Sequence, residues 1–325
     1  MSDFLADAFP VLESRLPRLQ LADLPTPVEQ KTLHIGGSAY NVAVKRDDIT
    51  GELYGGNKVR KLEYLFAEAQ QQQSNCIATF GTVASNHALA TSFYAHETGY
   101  PCVCFLAHQT KTPSAARALN MHLKIGTRIV RYNWTSKDRN ALVREALSSY
   151  DAFVIPPGGS SPLGAVGFVN AALELAAQVE TGETVLPGRV YVANGTMGTA
   201  VGLALGFALA GLDTEVHAVQ VTEDMVSSPD AMKKLLLKTA KVLHEADDSI
   251  PAGLADRARY QFRTGFLGDG YAKTNDTTEA AIAVARDELG IEIEATYTGK
   301  AMAALLGDLR ARTVSGPVLF WNCLL

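Results

Sequence analysis

A lysine that opens a helix behind two glycines is the first place in this sequence where chemistry is implied. Gly55-Gly56-Asn57-Lys58 follows the charged segment Lys45-Arg46-Asp47-Asp48, and a helical pattern begins at or just after Asn57. In a first helical turn the amides lack intrahelical acceptors and the dipole is positive. An ammonium at Lys58 is therefore disfavoured relative to the free amine, the form that condenses with an aldehyde. Taken alone, the same residues also make an ordinary turn followed by a solvated basic helix end.

Three other loops carry suitable residues where a ligand is expected. Phe80-Gly81-Thr82-Val83-Ala84-Ser85-Asn86-His87 joins a strand to a helix. Ser85 at such a place commonly caps the helix, but the loop amides and its hydroxyl also make a receptor for a carboxylate. Asn86 and His87 then stand at the carboxyl end of a strand, where α/β sheets place ligands. No Gly-x-Ser-x-Gly elbow surrounds Ser85, which argues against a hydrolase triad. Asn194-Gly195-Thr196-Met197-Gly198-Thr199 is a second loop between a strand and a helix, rich in small residues and free amides that suit a phosphate. Its spacing is neither that of a dinucleotide fingerprint nor of a Walker loop, so one phosphate suits it better than a pyrophosphate. Glu223 nonetheless stands near the end of the next strand, where a ribose-binding acid is found in dinucleotide sites. Tyr297-Thr298-Gly299-Lys300 ends a further strand and opens a helix. Tyr271, after Gly268-Asp269-Gly270, sits in a loop able to deliver a phenol into a cleft, although a lone tyrosine is more often a packing residue. The seven histidines show no i, i+4 pair, and no metal site is expected.

These loops need a scaffold, and the chain is long enough for two domains. It has 325 residues, 47% hydrophobic and 19% charged, as in a well-packed globular protein. Strands are expected at 41–44, 77–80, 101–106, 128–131, 152–155, 190–193, 216–221, 292–296 and 318–321. Helices are expected at 58–70, 86–96, 114–122, 139–147, 164–178, 199–209, 231–243, 277–289 and 300–310. This alternation predicts an α/β fold of two domains, each an open, mostly parallel twisted sheet with helices on both faces. Breaker clusters at Ile49–Gly56 and Ile155–Gly164 mark two crossings between domains. They give a larger domain of residues 1–59 and 165–325, interrupted by a smaller inserted domain of residues 60–164.

The net charge of −5 argues against a nucleic-acid or anionic-lipid surface. Four cysteines without a Cys-x-x-Cys pair suit a reducing compartment, and Cys102 and Cys104 read as small buried hydrophobes on one face of a strand. No basic apolar leader opens the chain and no uncharged apolar run of membrane length is evident, so a cytoplasmic protein is expected.

Together these segments resemble the fold-type II pyridoxal-phosphate (PLP) enzymes, tryptophan synthase β-like, and specifically the D-cysteine desulfhydrase / 1-aminocyclopropane-1-carboxylate (ACC) deaminase family. The likeness runs from Pro25-Thr26-Pro27 onward. It is carried by Lys45-Arg46-Asp47-Asp48, Gly55–Leu65, Ser85-Asn86-His87, Gly158-Gly159-Ser160, the Gly195–Thr199 loop and Tyr297–Met302, in the family's order. The resemblance implies pyridoxal 5′-phosphate as cofactor, an amino acid as substrate and a homodimer. It makes Lys58 the Schiff-base lysine and, once released, the base at Cα. Asn86 would contact the ring hydroxyl, and Ser85, Asn86 and His87 would receive the substrate carboxylate. Gly195, Thr196, Met197, Gly198 and Thr199 would hold the phosphate, and Tyr271 and Tyr297 would flank the substrate as acid/base or orienting groups.

Thr298 falls where the family places the partner of the pyridine nitrogen. ACC deaminases have a glutamate there; a neutral threonine leaves a weaker electron sink, which suits α,β-elimination. The implied activity is conversion of D-cysteine, or a related β-substituted amino acid, to pyruvate, ammonia and sulfide or another leaving group. ACC deamination and a non-catalytic PLP-binding role are the alternatives, with a nicotinamide dehydrogenase behind them. The sequence departs from the family at Ala84, where glutamine is usual, and at Asn322-Cys323-Leu324-Leu325, which replaces a His-Thr/Leu-Gly-Gly segment.

Overall fold

The computed structural model describes residues 3–52, 54–109 and 112–323; Leu324 and Leu325, part of the departure noted above, lie outside them. Ten strands form among these residues: β1 Val28–Ile35, β2 Ser38–Arg46, β3 Cys76–Thr82, β4 Cys102–Ala107, β5 Arg128–Tyr132, β6 Ala152–Ile155, β7 Arg189–Asn194, β8 Glu215–Gln220, β9 Tyr260–Arg263 and β10 Val318–Asn322. The helices are α1 Phe4–Ala8, α2 Val11–Arg15, α3 Lys58–Gln71, α4 Asn86–Glu97, α5 Pro113–Ile125, α6 Arg139–Ala146, α7 Pro162–Glu180, α8 Gly198–Leu209, α9 Pro229–Ala246, α10 Leu254–Arg257, α11 Asp276–Val284 and α12 Thr298–Arg310.

The strands build two sheets. One has six strands in the order β1-β2-β10-β7-β8-β9, the other four in the order β5-β4-β3-β6. All pairs are parallel except β1 with β2, a hairpin turning through Gly36-Gly37, both at positive φ. Each sheet carries apolar clusters on both faces. On the larger sheet, α7, α8 and α9 cover one face and α11 with α12 the other. On the smaller, α3 and α4 cover one face and α6 the other. This double cover explains why the inner strands are apolar throughout: all five residues of β10 are buried.

The α/β architecture matches the expectation, and most elements lie within a few residues of their expected positions. Residues 292–296 are the exception: they form no strand. The Glu294 carboxylate instead accepts the amides of Thr296, Tyr297 and Thr298, and its carbonyl accepts that of Gly299, so the segment is spent on capping α12. α7 extends two residues beyond each end of the expected helix 164–178, and Glu174 and Glu180 leave it without an uncharged run of membrane length. Its 19 residues pass for a membrane span by length and composition, but the helix is largely buried and carries Glu174 in the core. Cys102 and Cys104 are buried on β4 with their sulfurs 3.9 Å apart.

Candidate active site

Lys58 is the first residue of α3, separated from two glycines by Asn57, and its ammonium donates to Asn57 Oδ1 at 2.6 Å. Burial pulls its pKa down, with Cys323 and Glu294 pulling the other way. The turn is held from behind. Asn57 N donates to Cys323 O at 2.9 Å, and Asn57 Nδ2 donates to Thr199 Oγ1 at 3.1 Å in the first turn of α8. Below it, Arg60 donates to Asp47 and Glu174, Lys45 to Glu174, and Trp321 Nε1 to Asp47 Oδ2 at 2.8 Å. These four charged side chains are almost wholly buried, two of each sign, and Glu174 is held down to about 2, Arg60 and Lys45 outweighing the effect of burial. The Lys45-Arg46-Asp47-Asp48 motif is thus a foundation for the helix start.

The loop from Gly195 to Met197 runs from the carboxyl end of β7 into α8, and Met197 takes a left-handed φ of 69° at the cap. Ser160, in the loop after β6, reaches across from the other sheet: its hydroxyl lies 2.7 Å from Thr196 Oγ1 and accepts the Gly198 amide at 3.3 Å. Lys61, one turn along from Lys58, donates to Ser160 Oγ at 3.1 Å and Gly158 O at 3.2 Å. A Cβ on residue 198 would stand 2.7 Å from Ser160 Oγ and 2.9 Å from Lys61 Nζ, so glycine alone admits this approach.

Lys61 is 1% exposed and no carboxylate pairs with it among the described residues. Burial first, then Lys58, holds its pKa well below the ordinary lysine value. A buried cation aimed at a helix N-terminus is two positive ends together, and an anion is what balances them. A phosphate in this cradle, with an aldehyde at Lys58, is the fit the residues offer to PLP. Lys61 was missed by the sequence reading. Its i+3 spacing from Lys58, which puts both on one helix face, was the available signal.

On the smaller sheet, Ser85 caps α4, accepting the Ala88 amide at 3.2 Å, so the common reading of this serine holds. The amides of Asn86 and His87 precede the first intrahelical acceptor and are available to a carboxylate. The His87 ring is not: it is buried, its Nε2 lies 2.9 Å from Thr79 Oγ1, and burial with Lys58 and Lys61 holds it neutral. Asn86 Oδ1 accepts from the Tyr54 phenol at 3.3 Å.

Tyr271 and Tyr297 come together from separate segments, their hydroxyls in hydrogen bond and their ring centroids 5.9 Å apart. The Tyr297 ring borders Gly195, its Cε1 3.7 Å from where a Cβ would stand, and burial raises the pKa of both phenols. Thr82, at the end of β3, approaches the Tyr271 phenol, yet its hydroxyl is buried without a hydrogen-bond partner. Thr298 is not joined to this group through its hydroxyl, whose bonds are all with Glu294: it accepts the Glu294 amide at 2.9 Å and lies 3.2 Å from Oε1. Glu294, unnoticed in the sequence, acts electrostatically on Lys58, Tyr271, Tyr297 and Lys300 alike. Glu223 does not stand as a ribose-binding acid: its Oε1 accepts the Tyr271 amide at 2.9 Å.

A family model described as pyridoxal-phosphate dependent enzyme matches residues 19–323. The chain is 32% identical to a D-cysteine desulfhydrase from Klebsiella pneumoniae subsp. pneumoniae, covering 94% of this chain and 93% of that protein. Among solved structures, an ACC deaminase homologue superposes with a TM-score of 0.78 at 26% identity, covering 99% of this chain and 94% of that one. A fungal L-serine ammonia-lyase from Rhizomucor miehei, 16% identical, shares the fold with a TM-score of 0.63 over 93% of this chain and 94% of its own.

Proposed function

We propose an activity for this chain, which belongs to the family of pyridoxal-phosphate-dependent enzymes: α,β-elimination of D-cysteine or a related β-substituted amino acid, giving pyruvate, ammonia and sulfide or another leaving group. The observation that carries this reading is the pairing of Lys58, in its first-turn position, with the Lys61-backed anion cradle on the same helix face. When bound, the cofactor supplies an electron sink for the pair left at Cα. Its phosphate would be held by Lys61, Ser160 and the Gly195–Thr199 loop, and its aldehyde by Lys58.

Lys58 Nζ, its ammonium form disfavoured by burial, would take the substrate's Cα proton. The Ser85 hydroxyl and the amides of Asn86 and His87 would receive the substrate carboxylate, and the Asn86 side chain would contact the ring hydroxyl. Tyr271 and Tyr297, two half-buried phenols sharing one hydrogen bond, would hold a proton at the place where a β-thiolate departs. Neutral Thr298, its hydroxyl engaged by Glu294, would leave the pyridine nitrogen without an acid partner of its own, which would favour prompt loss of a β-group over opening of a cyclopropane.

The division into residues 1–59 with 165–325 and residues 60–164 belongs to the same proposal, supported by two sheets whose strands fall on either side of those boundaries. So do a homodimer, which the resemblance implies, and a cytoplasmic setting, supported by four free buried cysteines.

The test is a panel of D- and L-cysteine, D- and L-β-chloroalanine, serine, cysteate and ACC, assayed for keto acids with the holoenzyme. Pyruvate from D-cysteine and β-chloro-D-alanine, with no 2-oxobutanoate from ACC, is expected. Turnover of ACC alone would replace this reading with deamination, and no turnover of any member would remove the lyase.

A further inference from the structure

The Tyr271 phenol reaches the site on a loop with little packing of its own, since residues 272–277 are exposed and Gly268, Gly270 and Ala272 all take positive φ. Such a loop does not hold a side chain in one place by itself. Two side chains grip it. Glu223, exposed to solvent, accepts the Tyr271 amide at 2.9 Å. From beneath, Lys300 in the first turns of α12 donates to Leu267 O at 2.7 Å and Gly270 O at 3.3 Å.

Lys300 is an unusual choice for that place. It is 1% exposed, sits near a helix N-terminus where a cation is disfavoured, and has no salt bridge among the described residues. Its ammonium is spent on two loop carbonyls, with Glu294 and Glu223 acting on it through space. A buried charge satisfied only by a loop's carbonyls makes opening of that loop costly, because the ammonium would lose its acceptors.

We propose that Lys300 is a positioning residue that clamps the 267–271 loop and so fixes the Tyr271 phenol against Tyr297. This rests on the role given to Tyr271 under Proposed function. The clamp makes the proton donor part of a two-point latch: the screened Glu223 contact tunes it, and the buried Lys300 contact sets it.

The test uses the holoenzyme and the variants Lys300→Met, Lys300→Arg, Tyr271→Phe and Lys300→Met/Tyr271→Phe. Hydrogen exchange in the peptide covering residues 265–273 reads the loop directly. Lys300→Met should raise its exchange at least about tenfold, Lys300→Arg should restore protection, and the visible band of the bound cofactor should be unchanged in both. With β-chloro-D-alanine, Tyr271→Phe should lower kcat about 10²-fold and Lys300→Met should lower it similarly. The double variant should fall no more than about threefold below Tyr271→Phe, since a residue acting through Tyr271 has nothing left to position.

Unchanged exchange in Lys300→Met, or losses in kcat that multiply toward about 10⁴-fold, would overturn the clamp. If Lys300→Met does not fold, Lys300→Gln must show the same loosened loop; a protected loop in it overturns the clamp equally. If Lys300→Met loosens the loop while Tyr271→Phe turns over normally, the clamp stands and the catalytic role of Tyr271 falls.

Discussion

Replacing Arg60 with methionine should destabilise this protein by about 3–5 kcal/mol, the cost of stranding a buried carboxylate pair. The guanidinium makes five hydrogen bonds of 2.7–3.1 Å, to Asp47, Glu174 and the Thr26 hydroxyl. Methionine keeps most of the volume, so the loss is electrostatic. The buried group passes from two cations and two carboxylates to a net negative charge, and Glu174 retains Lys45 at 2.5 Å and the Thr26 amide at 2.9 Å. Its pKa, now about 2, must rise when Arg60 leaves. In the wild type, stability gained from ionising Glu174 is present above its unfolded value near 4.5 and is lost as pH falls toward 2; the variant lacks that gain, so the two should converge in acid. Urea unfolding in a Trp134→Phe background leaves Trp321, which bonds Asp47, as the fluorescent reporter. Arg60→Met/Glu174→Gln restores charge balance and should be at least as stable as Arg60→Met. A loss under about 1 kcal/mol, or fully additive losses in the double variant, would refute the idea that these charges depend on one another.

Lys58→Ala should bind cofactor without a covalent link, so that borohydride labels the wild type at Lys58 and leaves the variant unlabelled by peptide mass mapping. A Cβ at residue 202 would lie 2.3 Å from Ala165 O and 2.4 Å from Phe168 Cβ, where α8 meets α7. Gly202→Ala should therefore cost about 3 kcal/mol in urea unfolding through overpacking. His122, buried and bonded to Ser92 Oγ at 2.9 Å, has its pKa pushed down to about 4 by burial. The unfolded chain takes up a proton there first, so stability should fall between pH 6.5 and 4 by about 3 kcal/mol, and His122→Gln should flatten that slope in pH-dependent denaturation.

The site was legible in the sequence wherever chemistry is tied to a strand–loop–helix boundary. Lys58, Ser85-Asn86-His87 and the Gly195–Thr199 loop each announce themselves through small residues or caps at such a boundary. What escaped depends on tertiary proximity. Lys61 and Glu294 lie in segments whose local pattern is satisfied without them, and only the approach of Ser160 from the other sheet, or the amides of Thr296–Thr298, gives them a role. Residues 292–296 alternate like a strand, yet a glutamate four residues ahead of the helix's first residue competes for the backbone and wins. The edge strands β1 and β9 were missed for a related reason: each is half-solvated, and β1 is largely polar. The Gly36-Gly37 turn between alternating residues was the hairpin signal that went unread. His87 shows the limit of side-chain inference, since its backbone amide is left free in the first turn of α4 while its ring is engaged with Thr79.

The position of β10 also dictates an order of assembly. It is the last strand of its sheet in chain order, yet it lies between β2 and β7, hydrogen-bonded to both. The N-terminal hairpin therefore has no neighbour in the sheet until residues 318–322 are made, while the four strands of the smaller sheet, all within residues 76–155, can pair long before. During synthesis the smaller unit should become protease-resistant first. The turn that presents Lys58, tied to the carbonyl of Cys323, is set only when the final strand closes the larger sheet.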